Sequence, residues 1–273
     1  MIRLIACDLD ETLLDDSKNV PQENKEAIRR FEAAGGHFVV STGRIYTSLK
    51  RTLQQLDAYG KKDHYVISTN GALITENDGR ICFCQGVSYE KTMALIEYAR
   101  QAGIGVEVFT GTGDLYYENI DEREKIDLPM FIDTARPLPH DPSFLKGQVI
   151  PKLLYERQDM AYLHRFVEAM PQALKERLEI SYSSDRFIEL NHLGVSKGEA
   201  LVQLAMMLNI SMEETMAIGD NYNDVSMLKA AGFSAVVANA PKEIQERCDY
   251  VCTRTYRECG VAEAIDHVMK TKR

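Results

Sequence analysis

Short apolar runs, each cut off by small polar residues, recur at both ends of this chain. Leu4-Ile5-Ala6-Cys7 stops at Asp8-Leu9-Asp10, and His37-Phe38-Val39-Val40 stops at Ser41-Thr42-Gly43-Arg44. Tyr65-Val66-Ile67-Ser68 runs into Thr69-Asn70-Gly71-Ala72, and Thr215-Met216-Ala217-Ile218 into Gly219-Asp220. Runs this short, with no apolar–polar alternation, predict strands buried on both faces, as in a parallel sheet. Between them the apolar spacing becomes helical. Ala27, Ile28, Phe31 and Ala34 share one face of a helix that starts near Pro21 and stops at Gly35-Gly36; Leu49, Leu53 and Leu56 mark another. Strand–helix alternation with short connections predicts a doubly wound, Rossmann-like α/β core.

The pattern changes after the third strand. Ala72–Thr75 and Arg80–Phe83 flank Asn77-Asp78-Gly79, a hairpin signal. From 84 to 189 we expect an inserted α+β domain. Helices are predicted near Tyr89–Ala102 and Met160–Met170, and strands near Gly105–Phe109, Leu115–Glu118, Val149–Tyr155, Leu178–Tyr182 and Phe187–Leu190. A proline-rich connection (Pro137, Pro139, Pro142) lies between. The core resumes over 190–273, with a helix from Ser196 to Leu208, the Thr215 strand, a helix over Val225–Ala231, a strand over Ala235–Val237 and a last strand–helix segment. Residues 1–83 and 190–273 thus form one domain, interrupted by 84–189.

Composition narrows the function classes. The 273 residues carry a net charge of −9 and no Lys/Arg-rich run, which argues against a nucleic-acid or anionic-membrane surface. No apolar run has the length of a transmembrane helix. The first strand begins at Leu4, leaving no room for a cleaved signal peptide, so a cytoplasmic location is expected. The six cysteines fit zinc-ligand spacings poorly and read as reduced thiols.

The chemistry concentrates at the strand ends. Asp8 and Asp10 end the first predicted strand, Thr42 the second, and Asp220 with Asp224 a later one. In a parallel sheet such ends lie along one edge, where ligands bind. Two carboxylates one residue apart repel unless a cation lies between them or one is protonated. Hard oxygen donors without Cys or His suit Mg2+, so Asp8, Asp10 and Asp220 are candidate ligands, Asp10 through either its carboxylate or its backbone carbonyl. Lys197, in the first turn of a helix where a cation is unfavourable, makes more sense facing a phosphate. The Thr42 hydroxyl and nearby backbone N–H groups, those of Leu9 and Gly43 among them, would add directed hydrogen bonds. Asp8 is then a candidate nucleophile toward phosphorus, and Asp10 a candidate proton carrier. Arg44 pairs equally well with a surface acid and is left outside this set. At average residue usage D-x-D-x-T-L turns up on the order of once in 10⁵ windows, and G-D-x-x-N-D about as rarely; here both follow apolar runs.

The elements Asp8-Leu9-Asp10-x-Thr12-Leu13, Ser41-Thr42-Gly43-Arg44, Lys197-Gly198 and Gly219-Asp220-x-x-Asn223-Asp224 resemble the four motifs of the haloacid dehalogenase superfamily. Asn70-Gly71-Ala72, Val195-Ser196-Lys197-Gly198 and the insert after the third strand resemble its Cof-like sugar-phosphatase branch. The resemblance implies magnesium-dependent dephosphorylation of small phosphorylated metabolites under a mobile cap. It makes Asp8 the nucleophile, Asp10 the acid/base, Thr42 and Lys197 the phosphate-binding pair and Asp220 a further metal ligand. Asn223 and Asp224 would hold the phosphate, Lys197 and the metal's waters. One departure stands out: the family usually has Gly after the second Asp, where this chain has Glu11. We expect that turn not to need Gly, and the Glu11 side chain to face solvent.

Two rival readings share these parts. A phospho-accepting signalling receiver uses acids, Mg2+, Thr and Lys on a parallel sheet, but its acidic pair precedes its phosphoacceptor and it has no room for so large an insert. A phosphomutase of the same fold would differ by requiring a sugar bisphosphate.

Overall fold

The computed structural model describes residues 1–131, 134–183 and 185–270. The chain divides into two compact units, 1–82 with 196–273, and 83–195.

The first unit is built on β1 (Leu4–Cys7), α1 (Gln22–Ala33), β2 (His37–Ser41), α2 (Lys50–Gln55), β3 (Tyr65–Ser68), β4 (Leu73–Glu76) and β5 (Ile81–Cys84). The Asn77-Asp78-Gly79 turn joins β4 to β5, with Gly79 at φ +99° and its N–H donating to the Glu76 carbonyl at 2.8 Å. The second unit contributes α3 (Tyr89–Ala102), β6 (Gly105–Phe109), β7 (Leu115–Glu118), α4 (Glu122–Phe131), β8 (Ala135–Pro137), β9 (Lys152–Glu156), α5 (Met160–Ala169), α6 (Gln172–Lys175), β10 (Leu178–Ser183) and β11 (Phe187–His192). The first unit is completed by α7 (Lys197–Met207), β12 (Thr215–Gly219), α8 (Val225–Ala230), β13 (Phe233–Val236), α9 (Lys242–Gln245), β14 (Tyr250–Val251) and α10 (Gly260–Lys270).

Eight strands form one sheet in the order β14-β13-β12-β1-β2-β3-β4-β5, parallel from β14 to β3 and antiparallel between β3 and β4. This is the α/β class expected. Strand β1 is central because both faces of its run are apolar. Ile5 and Cys7 pack in one cluster with Ala27, Ile28 and Phe31 of α1 and Val261 and Ile265 of α10. Leu4 and Ala6, pointing the other way, are equally buried. The chain leaves β1 toward β2 on one side and reaches β12 on the other, which makes the carboxyl end of β1 a topological switch point.

The second unit holds a six-stranded sheet, β10-β11-β9-β6-β7-β8, antiparallel except between β7 and β8. Its end lies at Val195, past Glu189, because β11 keeps its ladder with β10 as far as His192. Strand β9 begins after Pro151, which has no N–H to give to a ladder, so it starts later than the apolar run at Val149. Helix α4 was not anticipated, since Glu122–Leu128 lacks an apolar stripe. It did carry a signal: Asp121 accepts the Glu124 N–H at 2.7 Å as an N-cap, an acid three residues before an acid. All six cysteines are free thiols, and among the described residues no helix is long and apolar enough to cross a membrane.

The two faces of this second sheet differ. Val106, Val108, Leu153, Ile188 and Leu190 pack against α3 and α5. The other face carries Glu107, Lys152, Glu156 and Glu189, all largely out of solvent, with a Lys152–Glu189 pair at 2.8 Å and an Arg186–Glu124 pair nearby. Glu107 is only 1% exposed. Among the described residues, its Oε1 and the Oε1 of Glu156 have no hydrogen-bond partner. Burial, and next the charge of Glu124, push the Glu107 carboxyl from the ordinary 4.5 up to about 8, against the pull of Lys152 and Arg186. The folded chain therefore binds a proton there that the unfolded chain has lost. The stability this contributes is complete below about 4.5 and disappears as pH rises through about 8. Glu107→Gln, which makes the neutral form permanent, is expected to raise the melting temperature at pH 9 relative to the parent and to narrow the difference at pH 5. An unchanged or lower melting temperature at pH 9 would show that Glu107 is not held neutral.

Candidate active site

The site begins with the end of β1. The Asp8 N–H donates to the Ile218 carbonyl of β12 at 2.9 Å, so the ladder holds Asp8 level with the end of that strand. On β12, Gly219 precedes Asp220, and Asp224 folds back over it: its Oδ2 accepts the N–H groups of Asp220 (3.0 Å) and Asn221 (3.2 Å). A Cβ on residue 219 would stand 2.6 Å from the Asp224 carboxylate, so only glycine leaves room for this closure. The hydroxyl of Thr12, in the turn after β1, donates to Asp220 Oδ1 at 2.7 Å. One carboxylate oxygen from each of Asp8, Asp220 and Asp224 can lie within 4.8 Å of the others, and all three residues are buried.

Lys197 opens α7 and is 1% exposed. Its Nζ donates to Asp8 Oδ1 at 2.5 Å and to Asp224 Oδ1 at 2.6 Å. Two glycines let the helix come this close. A Cβ at Gly71, whose φ is +99°, would stand 2.2 Å from the Ser196 carbonyl, and one at Gly198 would stand 2.3 Å from the Ser226 carbonyl of α8. Ser196 caps α7 by accepting the Glu199 N–H at 3.1 Å.

The loop after β2 is fastened to the loop after β3. Asn70 N–H donates to the Thr42 carbonyl at 3.0 Å, and Thr69 N–H to the Arg44 carbonyl at 2.9 Å. Both Thr69 and Asn70 lie in the left-handed region (φ +51° and +59°), which is strained for Thr. Gly43 is tight for a reason: a Cβ there would stand 2.8 Å from Asn70 Oδ1. The Thr42 hydroxyl accepts the Arg44 N–H at 3.2 Å.

Three buried carboxylates face one ammonium, and the protonation balance reflects it. Burial, then the neighbouring Asp224 charge, push Asp8 from 3.8 up to about 7, although Lys197 pulls it down. Burial and the Asp8 charge push Asp220 up to about 8, with the Thr12 hydroxyl opposing. For Lys197, burial favours the neutral amine, but Asp224 and Asp8 outweigh it and raise the pKa. A cluster with this surplus of negative oxygen donors, and no sulfur or imidazole, fits a hard divalent cation.

Of the two ways open to Asp10, through its carboxylate or through its backbone carbonyl, the side chain takes no part in the cluster. Asp224 takes that position. Arg44 Nε donates to Asp10 Oδ2 at 2.9 Å and Arg44 Nη2 to Oδ1 at 2.5 Å, while Lys18 Nζ reaches Oδ1 at 2.8 Å. Burial acts to raise the Asp10 pKa, but Arg44 and Lys18 together bring it below the usual carboxylate value. Arg44, set aside on sequence grounds, is thus a direct partner of a predicted site residue, and its position two residues after Thr42 was the available signal. Leu9 is fully buried and its carbonyl accepts the Leu14 N–H at 2.9 Å, so only its backbone faces the turn. Asn223 lies on the exposed side of the turn Tyr222–Asp224.

Comparison with known proteins shows the family. The family model for haloacid dehalogenase-like hydrolases matches residues 5–265. The chain belongs to the haloacid dehalogenase-like hydrolases. Phosphatase YwpJ of Bacillus subtilis (strain 168) is 33% identical, covering 98% of this chain and all of that protein. The 5-amino-6-(5-phospho-D-ribitylamino)uracil phosphatase YcsE of the same organism is 29% identical over 97% of this chain and 95% of its own. Among solved structures, a haloacid dehalogenase-like hydrolase from Bacteroides thetaiotaomicron superposes with a TM-score of 0.86 at 26% identity, covering 98% of this chain and 100% of its own. This member of the haloacid dehalogenase-like hydrolases is a phosphatase, an enzyme acting on phosphoric monoesters.

Glu11 corrects an expectation. Its side chain is exposed, as anticipated, but its φ of +57° lies in the left-handed region, so the turn does favour Gly. The misfit costs on the order of 1 kcal/mol. The Asn239 side-chain amide donates to the Glu11 carbonyl at 3.0 Å and steadies the strained turn.

Gly219→Ala is expected to push Asp224 out of its two backbone hydrogen bonds and to lower unfolding stability by about 1–3 kcal/mol. Denaturant unfolding measures this, and a variant as stable as the parent would show that Asp224 does not need the space.

Proposed function

We propose that this phosphatase is magnesium-dependent and hydrolyses small phosphorylated metabolites, sugar phosphates first among them, through an aspartyl phosphate on Asp8. The observation that carries this reading is the buried cluster of Asp8, Asp220 and Asp224 closed by Lys197. The substrate named for YcsE, a phosphate on a polyol chain, supports the substrate class. Asp8, Asp220 and the backbone carbonyl of Asp10 would hold Mg2+, with Asp224 supporting them. When bound, the ion supplies positive charge that neutralises both the carboxylates and the phosphate oxygens.

In the first step an Asp8 carboxylate oxygen forms a bond to phosphorus as the phosphorus–oxygen bond to the leaving alcohol breaks. The departing oxygen takes a proton from the Asp10 carboxyl. In the second, Asp10 takes a proton from water as that water's oxygen bonds to phosphorus, releasing inorganic phosphate and restoring Asp8. Lys197 holds Asp8 in one orientation and offers its charge to the phosphate. The Thr42 hydroxyl and the backbone N–H groups of Leu9 and Gly43 hold the phosphate oxygens, with Asn223 at the rim. We read residues 84–189 as the cap that selects the leaving group.

Asp8→Asn is expected to lower phosphate release by about 10³-fold or more while the chain stays folded, measured on a panel of sugar, polyol and cofactor phosphates. Substantial remaining turnover would exclude the covalent route. Chelator is expected to abolish activity, and Mg2+ to restore it; activity that survives exhaustive chelation would exclude the metal.

A further inference from the structure

The haloacid dehalogenase-like site has an inner and an outer ring. The inner ring, Asp8, Asp220, Asp224 and Lys197, is buried. The outer ring is Asp10 with Arg44 and Lys18, whose side chains are 39%, 24% and 50% exposed. In the outer ring both carboxylate oxygens of Asp10 are taken. Arg44 approaches with its Nε and Nη2 edge, one nitrogen to each oxygen, the planar fork that best fixes a carboxylate's orientation. Lys18 adds a second donor to Oδ1.

Arg44 is itself held in place. Its N–H donates to the Thr42 hydroxyl, and its carbonyl accepts the Thr69 N–H. It therefore belongs to the fastened loops that position Thr42, and its guanidinium projects from a rigid base. Lys18 comes from the loop after the Asp8–Asp10 turn, where the Asp15 carboxylate accepts the N–H groups of Ser17 and Asn19, both at 2.9 Å. Asp10 is thus gripped from two different segments of chain.

We propose that Arg44 is a positioning residue for Asp10: its guanidinium sets the direction of the carboxyl that protonates the leaving alcohol. This rests on the reading of Asp10 as the acid/base. A carboxyl that gives up a proton needs one oxygen clear of N–H donors. Oδ2, held by the single donor Arg44 Nε at 2.9 Å, is the oxygen let go, and Oδ1, held by both Arg44 Nη2 and Lys18, remains as the pivot. The released oxygen gives the departing alkoxide the proton that Asp10 took from the attacking water of the preceding turnover, then returns to the fork as a carboxylate until the next water is deprotonated.

The test compares leaving groups. An alkyl phosphate monoester needs a proton on its departing oxygen, whereas p-nitrophenolate departs without one. The quantity is kcat/KM, which covers the steps through loss of the leaving group. For Arg44→Ala we expect a 10- to 100-fold fall on a sugar phosphate and a change within about threefold on p-nitrophenyl phosphate. Asp10→Asn should show the same selectivity more strongly. The double variant should be no slower than Asp10→Asn alone, because Arg44 would act only through that carboxyl. Arg44→Lys, which keeps the charge and loses the fork, should recover only part of the rate. Equal losses on both substrates, or a double variant slowed by the product of the single effects, would overturn the proposal and make Arg44 a phosphate ligand or a structural residue. A parent enzyme that releases phosphate from neither substrate type in a broad panel would instead overturn the functional reading on which it rests.

Discussion

The cluster at the strand ends of the first unit depends on one buried ammonium. Lys197 is out of solvent and holds two carboxylates at 2.5 and 2.6 Å, and a third lies beside them. An unpaired buried charge costs several kcal/mol, so neither the lysine nor the acids could occupy this place alone. The pairing leaves the cluster short of positive charge. That shortage is the useful property: it raises the pKa of Asp8 and Asp220 and makes the site receptive to a divalent cation.

Bringing α7 close enough for this contact is a matter of removed atoms. Gly71, Gly198 and Gly219 each stand where a methyl group would collide with a carbonyl or a carboxylate at 2.2 to 2.6 Å. They come from three separated parts of the chain, and together they let a loop, two helices and a strand end converge. Left-handed backbone at Thr69, Asn70 and Glu11 adds strain around the same place. Strain of this kind persists where surrounding hydrogen bonds outnumber it, and the contacts of Thr69, Asn70 and Asn239 supply them. The second unit shows the same economy at lower stakes: one face of its sheet is an ordinary apolar core, while the other keeps Glu107 in a place that favours its neutral form.

By itself, the sequence determined the class of the core and singled out Asp8, Asp220, Asp224 and Lys197 as candidates, without saying how they meet. Uninterrupted apolar runs ending in Asp8, Thr42 and Asp220 allow few folds other than a parallel sheet with those residues on one edge, because strand ends in such a sheet cannot point elsewhere. What it left open depends on contacts between residues distant in the chain. Helix α4 has no apolar stripe over Glu122–Leu128 to mark it in the sequence, only the Asp121 cap. For the partner of Asp10 the sequence offered only the place of Arg44 two residues after Thr42: Arg44 lies 34 positions from Asp10, and the folding of two loops onto each other decides which acid its guanidinium meets. Glu11 looked like a residue free of backbone constraint until the turn's dihedral angle was known. Tertiary structure also made Asp224, rather than the Asp10 side chain, the third carboxylate of the cluster, because Gly219 leaves just enough room for it to fold back.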